Sequence, residues 1–164
     1  MLTNRFLHYI DKFYSFFIMV GSNLQSLFLL YMRVTWGHQF FVTGLGKFGH
    51  IDKVIDFFTT LGFRHPAFFS YSVAAIETIC GFLLFIGFAS RIAAIPLIIV
   101  MLGALSTAHA PNISNFRFLT EPLALVKQEP YPFLITAALV FIFGPGRVSV
   151  DAWIKRWVDR QPRY

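Results

Sequence analysis

The sequence predicts an all-α polytopic membrane protein: a four-helix transmembrane bundle with interfacial amphipathic helices at both termini, built as one domain over residues 1–164. Three observations predict it. First, 56% of the residues are hydrophobic and only 13% are charged, whereas a soluble domain carries about a quarter charged residues. Too few charges remain to coat a soluble globule, and the mean hydropathy is +0.62. Second, 21 Phe, 6 Tyr and 3 Trp supply enough apolar surface to exclude disorder, and the lone Cys80 excludes a disulfide scaffold. Third, several apolar runs approach the roughly 20 helical residues that cross a hydrocarbon core of about 30 Å. None alternates with the period of two expected of a barrel strand.

The elements follow in chain order. Phe6, Ile10, Phe13, Phe17 and Val20 recur at helical spacing, with Arg5, His8, Asp11, Lys12 and Ser15 on other faces. No small-x-small cleavage site follows, so residues 5–20 read as an interfacial helix and not as a signal peptide. The first span covers 24–45 and contains Arg33. In the following connection Ile51, Val54, Ile55 and Phe58 form an apolar stripe, which predicts a surface helix. The second span covers 67–89, with Glu77 inside it, and leads through a tight Ser90-Arg91 turn. The third covers 92–110, with Pro96 in its first turns, where a missing donor does least harm, and His109 near its end. The fourth, 131–144, is short; its Pro130 and Pro132 entry implies an earlier start or a locally thinned bilayer. Gly144-Pro145-Gly146 ends it, and Ser149 is placed to cap a last helix over 149–158. There Val150, Trp153, Ile154, Trp157 and Val158 form one stripe, beside Lys155, Arg156 and Arg160. Paired tryptophans next to cations suit the headgroup region of an anionic leaflet.

With four spans, both termini share a side with the Ser90-Arg91 turn. That side carries 8 of the 14 basic residues and the other carries 5, Arg33 being inside the membrane. The positive-inside rule then places both termini in the cytoplasm of a bacterial-type inner membrane. The net charge of +6 reflects this topology and lipid contact, and no soluble basic module for nucleic acid is visible.

Two charges resist placement at a surface. Arg33 lies 11 residues from Gly44, about 16 Å at the helical rise, and Glu77 lies 10 residues from Ala67, about 15 Å. Antiparallel neighbours bounded at Gly44 and Ala67 would bring both to similar depth, near the midplane. An unpaired charge there costs at least a few kcal/mol, and the expected remedy is an Arg33–Glu77 ion pair. Trp36, Gly37, Phe40, Gly44 and Lys47 follow Arg33 near one stripe, and Cys80, Gly81 and Leu84 share the face of Glu77. Gly37, Gly44 and Gly81 permit close approach of a helix or a flat ligand. Arg33, Glu77, Trp36, Phe40, Lys47 and His109 are thus the candidate lining of an aromatic slot; close helix packing would demand the same small residues. The histidines show no metal-ligand spacing, Cys80 lacks a CxxC partner, and no phosphate loop or hydrolytic triad is present. No metal or resident cofactor is expected.

Arg33-x-x-Trp36-Gly37-x-x-Phe40 with Gly44 and Lys47 resembles the first-span signature of the DoxX family. Glu77-x-x-x-Gly81 with Gly87 and the Ser90-Arg91-Ile92-Ala93-Ala94 turn is similar to the family's second segment, and Gly144-Pro145-Gly146-Arg147 with Asp151 to its closing segment. The resemblance spans roughly residues 27–153 and implies a four-helix inner-membrane bundle engaged in redox work. Related proteins are subunits of thiosulfate:quinone oxidoreductase or accompany thiol and quinone stress defence. This chain is short and lacks a redox-competent cysteine pair, so the implied role is a non-autonomous subunit. It would bind a quinone-like or other flat apolar ligand in the Arg33/Glu77 slot and take electrons from a partner redox protein. The alternative reading is a structural or assembly protein, or a small transporter, in which the ion pair only sets helix packing. The remaining expected partners are the lipid bilayer and further copies of the chain.

Overall fold

The computed structural model describes residues 2–107 and 122–160. Every regular element among them is a helix: α1 Leu2–Gly49, α2 Ile51–Thr60, α3 Pro66–Ile86, α4 Ser90–Ser106, α5 Pro122–Val126, α6 Pro130–Phe143 and α7 Val150–Val158. No strand occurs among the described residues.

The largest departure from the expected layout is α1. Its 48 residues run without a break, about 72 Å at the helical rise, so no separate interfacial helix over 5–20 precedes the first span. The weakest helix formers at the expected junction are Gly21, Ser22 and Asn23, which cost about 1 kcal/mol each at most, and no proline interrupts. Ser22 also returns its hydroxyl to the carbonyl of Ile18 at 2.9 Å, and the turn stays helical. Residues 11–19 are exposed throughout, so this half of α1 projects from the helices that α1 packs against further on. The side chains of Phe6 and Ile10 lie outside the described ones.

Four helices pack in a closed cycle: α1 along α3, α3 on α4, α4 on α6, and α6 back on α1. Their shared core contains Phe40, Leu84, Leu97, Met101, Ala137 and Val140. Large apolar side chains point outward as well, among them Ile79, Ile92, Ile99 and Ile142, the pattern of helices bathed in lipid. α1 (from Asp11) and α3 are long and apolar enough to cross a membrane. α4 and α6, with 17 and 14 residues, reach about 26 and 21 Å, short of the roughly 30 Å core. α4 ends at Ser106, and the remainder of the expected third span, 108–110, lies outside the described residues with His109. Pro96 is the seventh residue of α4, within its first two turns as expected but beyond the four N–H groups a helix start leaves free, so it withholds an N–H from the Ile92 carbonyl. The fourth span has the earlier helical start that its prolines implied only in part. α5 precedes it, but a turn over 127–129 separates the two.

The connections match their local chemistry. Pro66 opens α3 at a position needing no N–H donor, and Gly87 closes it in the left-handed region at φ 77°. The α3–α4 turn is therefore Gly87-Phe88-Ala89, and Ser90 and Arg91 are the first residues of α4 instead of the turn. Ser149 caps α7, its hydroxyl accepting from the Ala152 N–H at 3.1 Å. On α2 the stripe Ile51, Val54, Ile55 and Phe58 is half-buried; on α7 Trp153, Trp157 and Val158 remain exposed.

The α1–α3 contact is backbone-close. A Cβ on Gly37 would stand 2.8 Å from the Phe85 nitrogen, and one on Gly81 2.7 Å from the Phe41 nitrogen. Gly44 faces the Glu77–Thr78 peptide equally tightly, whereas Gly46, two residues on, has open space. Both are helix-interior glycines, so alanine gains about 1 kcal/mol of propensity at either. At Gly44 overpacking costs about 1–3 kcal/mol. Gly46→Ala is expected to hold or raise the thermal unfolding midpoint in detergent and Gly44→Ala to lower it; equal midpoints would contradict this packing.

Candidate functional site

The glycine contacts fix the α1–α3 register. Gly37 lies against Phe85 and Gly44 against Thr78, so each residue up α1 is one residue down α3. On that register Glu77 is level with Leu45, and Arg33 with Ala89. The two charges are 12 residues apart along the helices, about 18 Å. The expected Arg33–Glu77 pair is not formed. The depth estimate took Gly44 as the end of the first helix, but α1 continues to Gly49 and packs on α3 at Gly44 itself.

Glu77 is instead paired with Lys47, whose ammonium donates to Oε2. Lys47 sits in the last turn of α1, where a cation is favoured by the helix dipole. The carboxylate is buried, with 4% of its side chain exposed, while the lysine keeps 31%. The pair is thus open on the lysine side and closed on the glutamate side.

That open side gives onto a cavity of about 830 Å³. The last turns of α1 supply Phe40, Thr43 and Lys47, and α3 supplies Phe69, Val73, Ile76 and Glu77. α4 contributes Val100 and Met101, and Pro130 and Phe133 come from the start of α6. α2 flanks it with Val54, Phe57 and Phe58. Aromatic contacts tie this wall together: Phe63 lies 5.0 Å from Phe58 and 4.9 Å from Phe69, ring centre to ring centre. Phe133 meets Phe40 at 4.6 Å and Trp36 at 5.0 Å, both edge-on. The chamber is therefore largely apolar and aromatic; the Lys47–Glu77 pair stands in its wall, Lys53, His50 and Glu129 also line it, and its volume suits a drug-sized molecule.

Of the sequence candidates, Phe40, Lys47 and Glu77 line this cavity, Trp36 stands behind Phe133, and Arg33 is elsewhere. Gly37, Gly44 and Gly81 lie in the α1–α3 contact. His109 is outside the described residues. The α2 aromatics and Phe133 were not singled out from the sequence; the apolar stripe on α2 located a helix there, but not what it covers. No group of three or more His, Cys, Asp or Glu converges among the described residues.

Arg33 serves the opposite end of the bundle. It is buried against Gly87, where any side chain would collide with its guanidinium, and Nη2 donates to the Val148 carbonyl at 2.6 Å. The acid whose charge acts on it is Asp151. Asp151 accepts from the N–H groups of Ala89 at 2.7 Å and Ser90 at 3.0 Å, capping α4, and its own N–H donates to the Gly87 carbonyl at 3.0 Å. This clasp holds Ala89 at φ 46°, a left-handed conformation that alanine rarely adopts.

Two outcomes follow from the geometry. Lys47→Met strands a buried carboxylate and costs about 3 kcal/mol. Glu77→Gln costs less because Lys47 reaches solvent, and the double variant is milder than the sum of the two. Additivity in detergent unfolding would show that the pair carries no coupling. Asp151→Ala removes both acceptors from the α4 N-terminus, costing about 1–2 kcal/mol, and speeds amide exchange at Ala89 and Ser90; unchanged exchange would contradict the clasp.

The DoxX family profile matches residues 28–110, from the middle of α1 past the end of α4. "Putative oxidoreductase CatD" of Bacillus subtilis (strain 168) is 41% identical over 127 residues, which cover 76% of this chain and 85% of that protein. "Uncharacterized membrane protein Rv3486" of Mycobacterium tuberculosis (strain ATCC 25618 / H37Rv) is 28% identical over 125 residues, 73% of this chain and 77% of that one. No solved structure matches the chain significantly. With half of its length under the family profile and a relative matched over most of both chains, this protein belongs to the DoxX family of membrane proteins.

Proposed function

We propose that this protein is a redox-associated membrane subunit that binds a quinone-like, flat apolar ligand in the cavity beside Lys47 and Glu77. The observation that carries the reading is an aromatic chamber of about 830 Å³ whose wall holds a single buried carboxylate paired with a half-open lysine. A purely lipid-filled crevice has no use for a charge pair, which costs several kcal/mol per ion to desolvate. The CatD relative, named as an oxidoreductase, supports the redox class.

In this reading Phe40, Phe58, Phe69 and Phe133 offer ring faces and edges to a planar headgroup, and Lys47 donates a hydrogen bond to one of its carbonyl oxygens. Reduction of a quinone to a quinol takes two electrons and two protons. The electrons come from a partner redox protein. Lys47 stabilises the negative charge that grows on the oxygen and passes on to it protons drawn from water, while Glu77 balances Lys47 or relays a proton to it. The supporting topology is a four-span bundle in a bacterial-type inner membrane with cytoplasmic termini. The short α4 and α6 span by local thinning, and 8 of 14 basic residues lie on the terminal side.

A second reading has one observation in its favour: Lys47–Glu77 joins α1 to α3, two helices already in backbone contact, as a register clip would. Anaerobic titration with a soluble short-chain quinone separates the two, read by fluorescence quenching of Trp36, which packs edge-on against the lining residue Phe133, in protein whose exposed Trp153 and Trp157 are replaced by Phe. Saturable quenching that weakens about tenfold or more in Lys47→Met supports ligand binding, on the scale of one lost charge-assisted hydrogen bond. Absence of saturation, or equal affinity in wild type and Lys47→Met, overturns it and leaves the clip.

A further inference from the structure

The end of the bundle opposite that chamber carries a second cavity, of about 520 Å³, between the middle of α1, the start of α4, the end of α6 and α7. Its chemistry is different. Arg91, Arg147 and Lys155 line it from three separate segments, together with the hydroxyls of Ser22 and Ser26 and the amide of Gln25. Among the described residues none of these cations has an ion-pair partner; Lys47–Glu77 is the pair found there. Arg147 donates to the Asn23 Oδ1 at 2.6 Å and Arg91 to the Ile142 carbonyl at 3.3 Å, which fixes both guanidinium groups without neutralising them.

One acid, Asp151, also lines the cavity, but its two oxygens are occupied by the backbone N–H groups of Ala89 and Ser90. Buried Arg33, one helical turn beyond the lining residue Leu29, balances it from behind. The cavity thus holds an uncompensated charge from three cations. Beside it the exposed side chains of Ile92, Ile142 and Phe143 form apolar surface next to Arg91, and α7 presents Trp153 and Trp157 outward. Cations in a pocket, hydroxyl and amide groups around them, and exposed aliphatic surface at the rim suit an amphiphile with an anionic head and acyl tails.

We propose that this cavity binds a phosphate group presented by an anionic phospholipid headgroup, with Arg91, Arg147 and Lys155 as its ligands. The lipid fastens α7 to the helix ends it covers. This site is independent of the Lys47/Glu77 chamber, so either assignment can fail alone.

Native mass spectrometry of the full chain in detergent tests it, with phosphatidylglycerol, phosphatidylcholine of the same acyl chains, and inorganic phosphate as probes. The expected result is saturable binding of phosphatidylglycerol at least about tenfold tighter than of phosphatidylcholine. Arg147→Gln with Lys155→Gln should weaken it about thirtyfold, on the scale of two lost lipid-facing cations. Lys12→Gln with Arg160→Gln removes the same charge outside the cavity and should leave the preference within about twofold. The charge-keeping Lys155→Arg should retain binding and guards against a folding artefact. No preference between the lipids, or an equal loss in both double variants, overturns the site. Inorganic phosphate that binds saturably and displaces the lipid overturns the lipid as the source of the phosphate.

Discussion

The close contact of α1 with α3 is the constraint on which the rest of the molecule depends. In lipid, helices gain little from apolar burial against each other, so van der Waals fit and polar contacts decide where they meet. Gly37, Gly44 and Gly81 let the backbones touch, and such a fit tolerates no sliding: a shift of one residue along α1 would set Trp36 or His38 in the place of Gly37 and Thr43 or Leu45 in that of Gly44. Once this register is set, the fate of both intramembrane charges is set with it. Lys47, two residues past the level of Glu77, comes within reach of its carboxylate, and the guanidinium of Arg33 reaches Gly87.

The two charged centres then do different work at opposite ends. Arg33 is enclosed: it reaches the Val148 carbonyl, faces Asp151, and fills the space that Gly87 leaves. The left-handed Gly87 thus serves twice, ending α3 and making room for a guanidinium. Asp151 pins the α3–α4 turn to the start of α7, so residues far apart in the chain share one polar knot, whose charge is acceptable in a membrane because it is matched. Lys47–Glu77 is matched too, yet its lysine remains accessible from a chamber. An enclosed polar cluster holds a fold together; an accessible one can also meet a ligand.

Much of this was legible in the sequence wherever the code is local. Ser149 as a cap, Gly144-Pro145-Gly146 as a stop, the amphipathic stripes of α2 and α7, and the helical character of the long apolar runs depend on neighbours within a turn or two. The family resemblance rested on similarly local motifs. Which charge meets which depends on the offset between helices, and the ends of hydrophobic runs are a poor guide to it. α1 reads as though it stops near Gly44 because polarity rises there, but a helix ends where its backbone loses a continuation, and Lys47 lies inside it. The choice of partner was written instead in the glycines, as a matched set of close approaches, and one residue pair across that contact would have corrected the depth by 11 residues. Trp36 and Phe40, marked for a slot from their spacing on α1, both meet Phe133, and Phe40 lines the chamber; Phe133 and the α2 aromatics could not be placed there from the sequence, because they come from distant segments.

The location of the chamber has a simple physical origin in unequal helix lengths. α1 and α3 extend side by side from the clasp at Gly87 to Lys47 and Phe69, while α6 reaches only Pro130 and is about 21 Å long. A four-helix bundle with one short member leaves a quadrant uncovered at one end, and water or lipid would enter unless something else fills it. The sequence between α1 and α3 supplies α2, whose half-buried stripe turns toward the gap with Phe57 and Phe58, and Phe63 follows from the connection to α3. Because α2 is ten residues long and docks through side chains instead of backbone, it roofs the quadrant without filling it. The same shortfall that makes the fourth helix look inadequate as a span therefore creates the space, and the lysine in the last turn of the longest helix opens onto it.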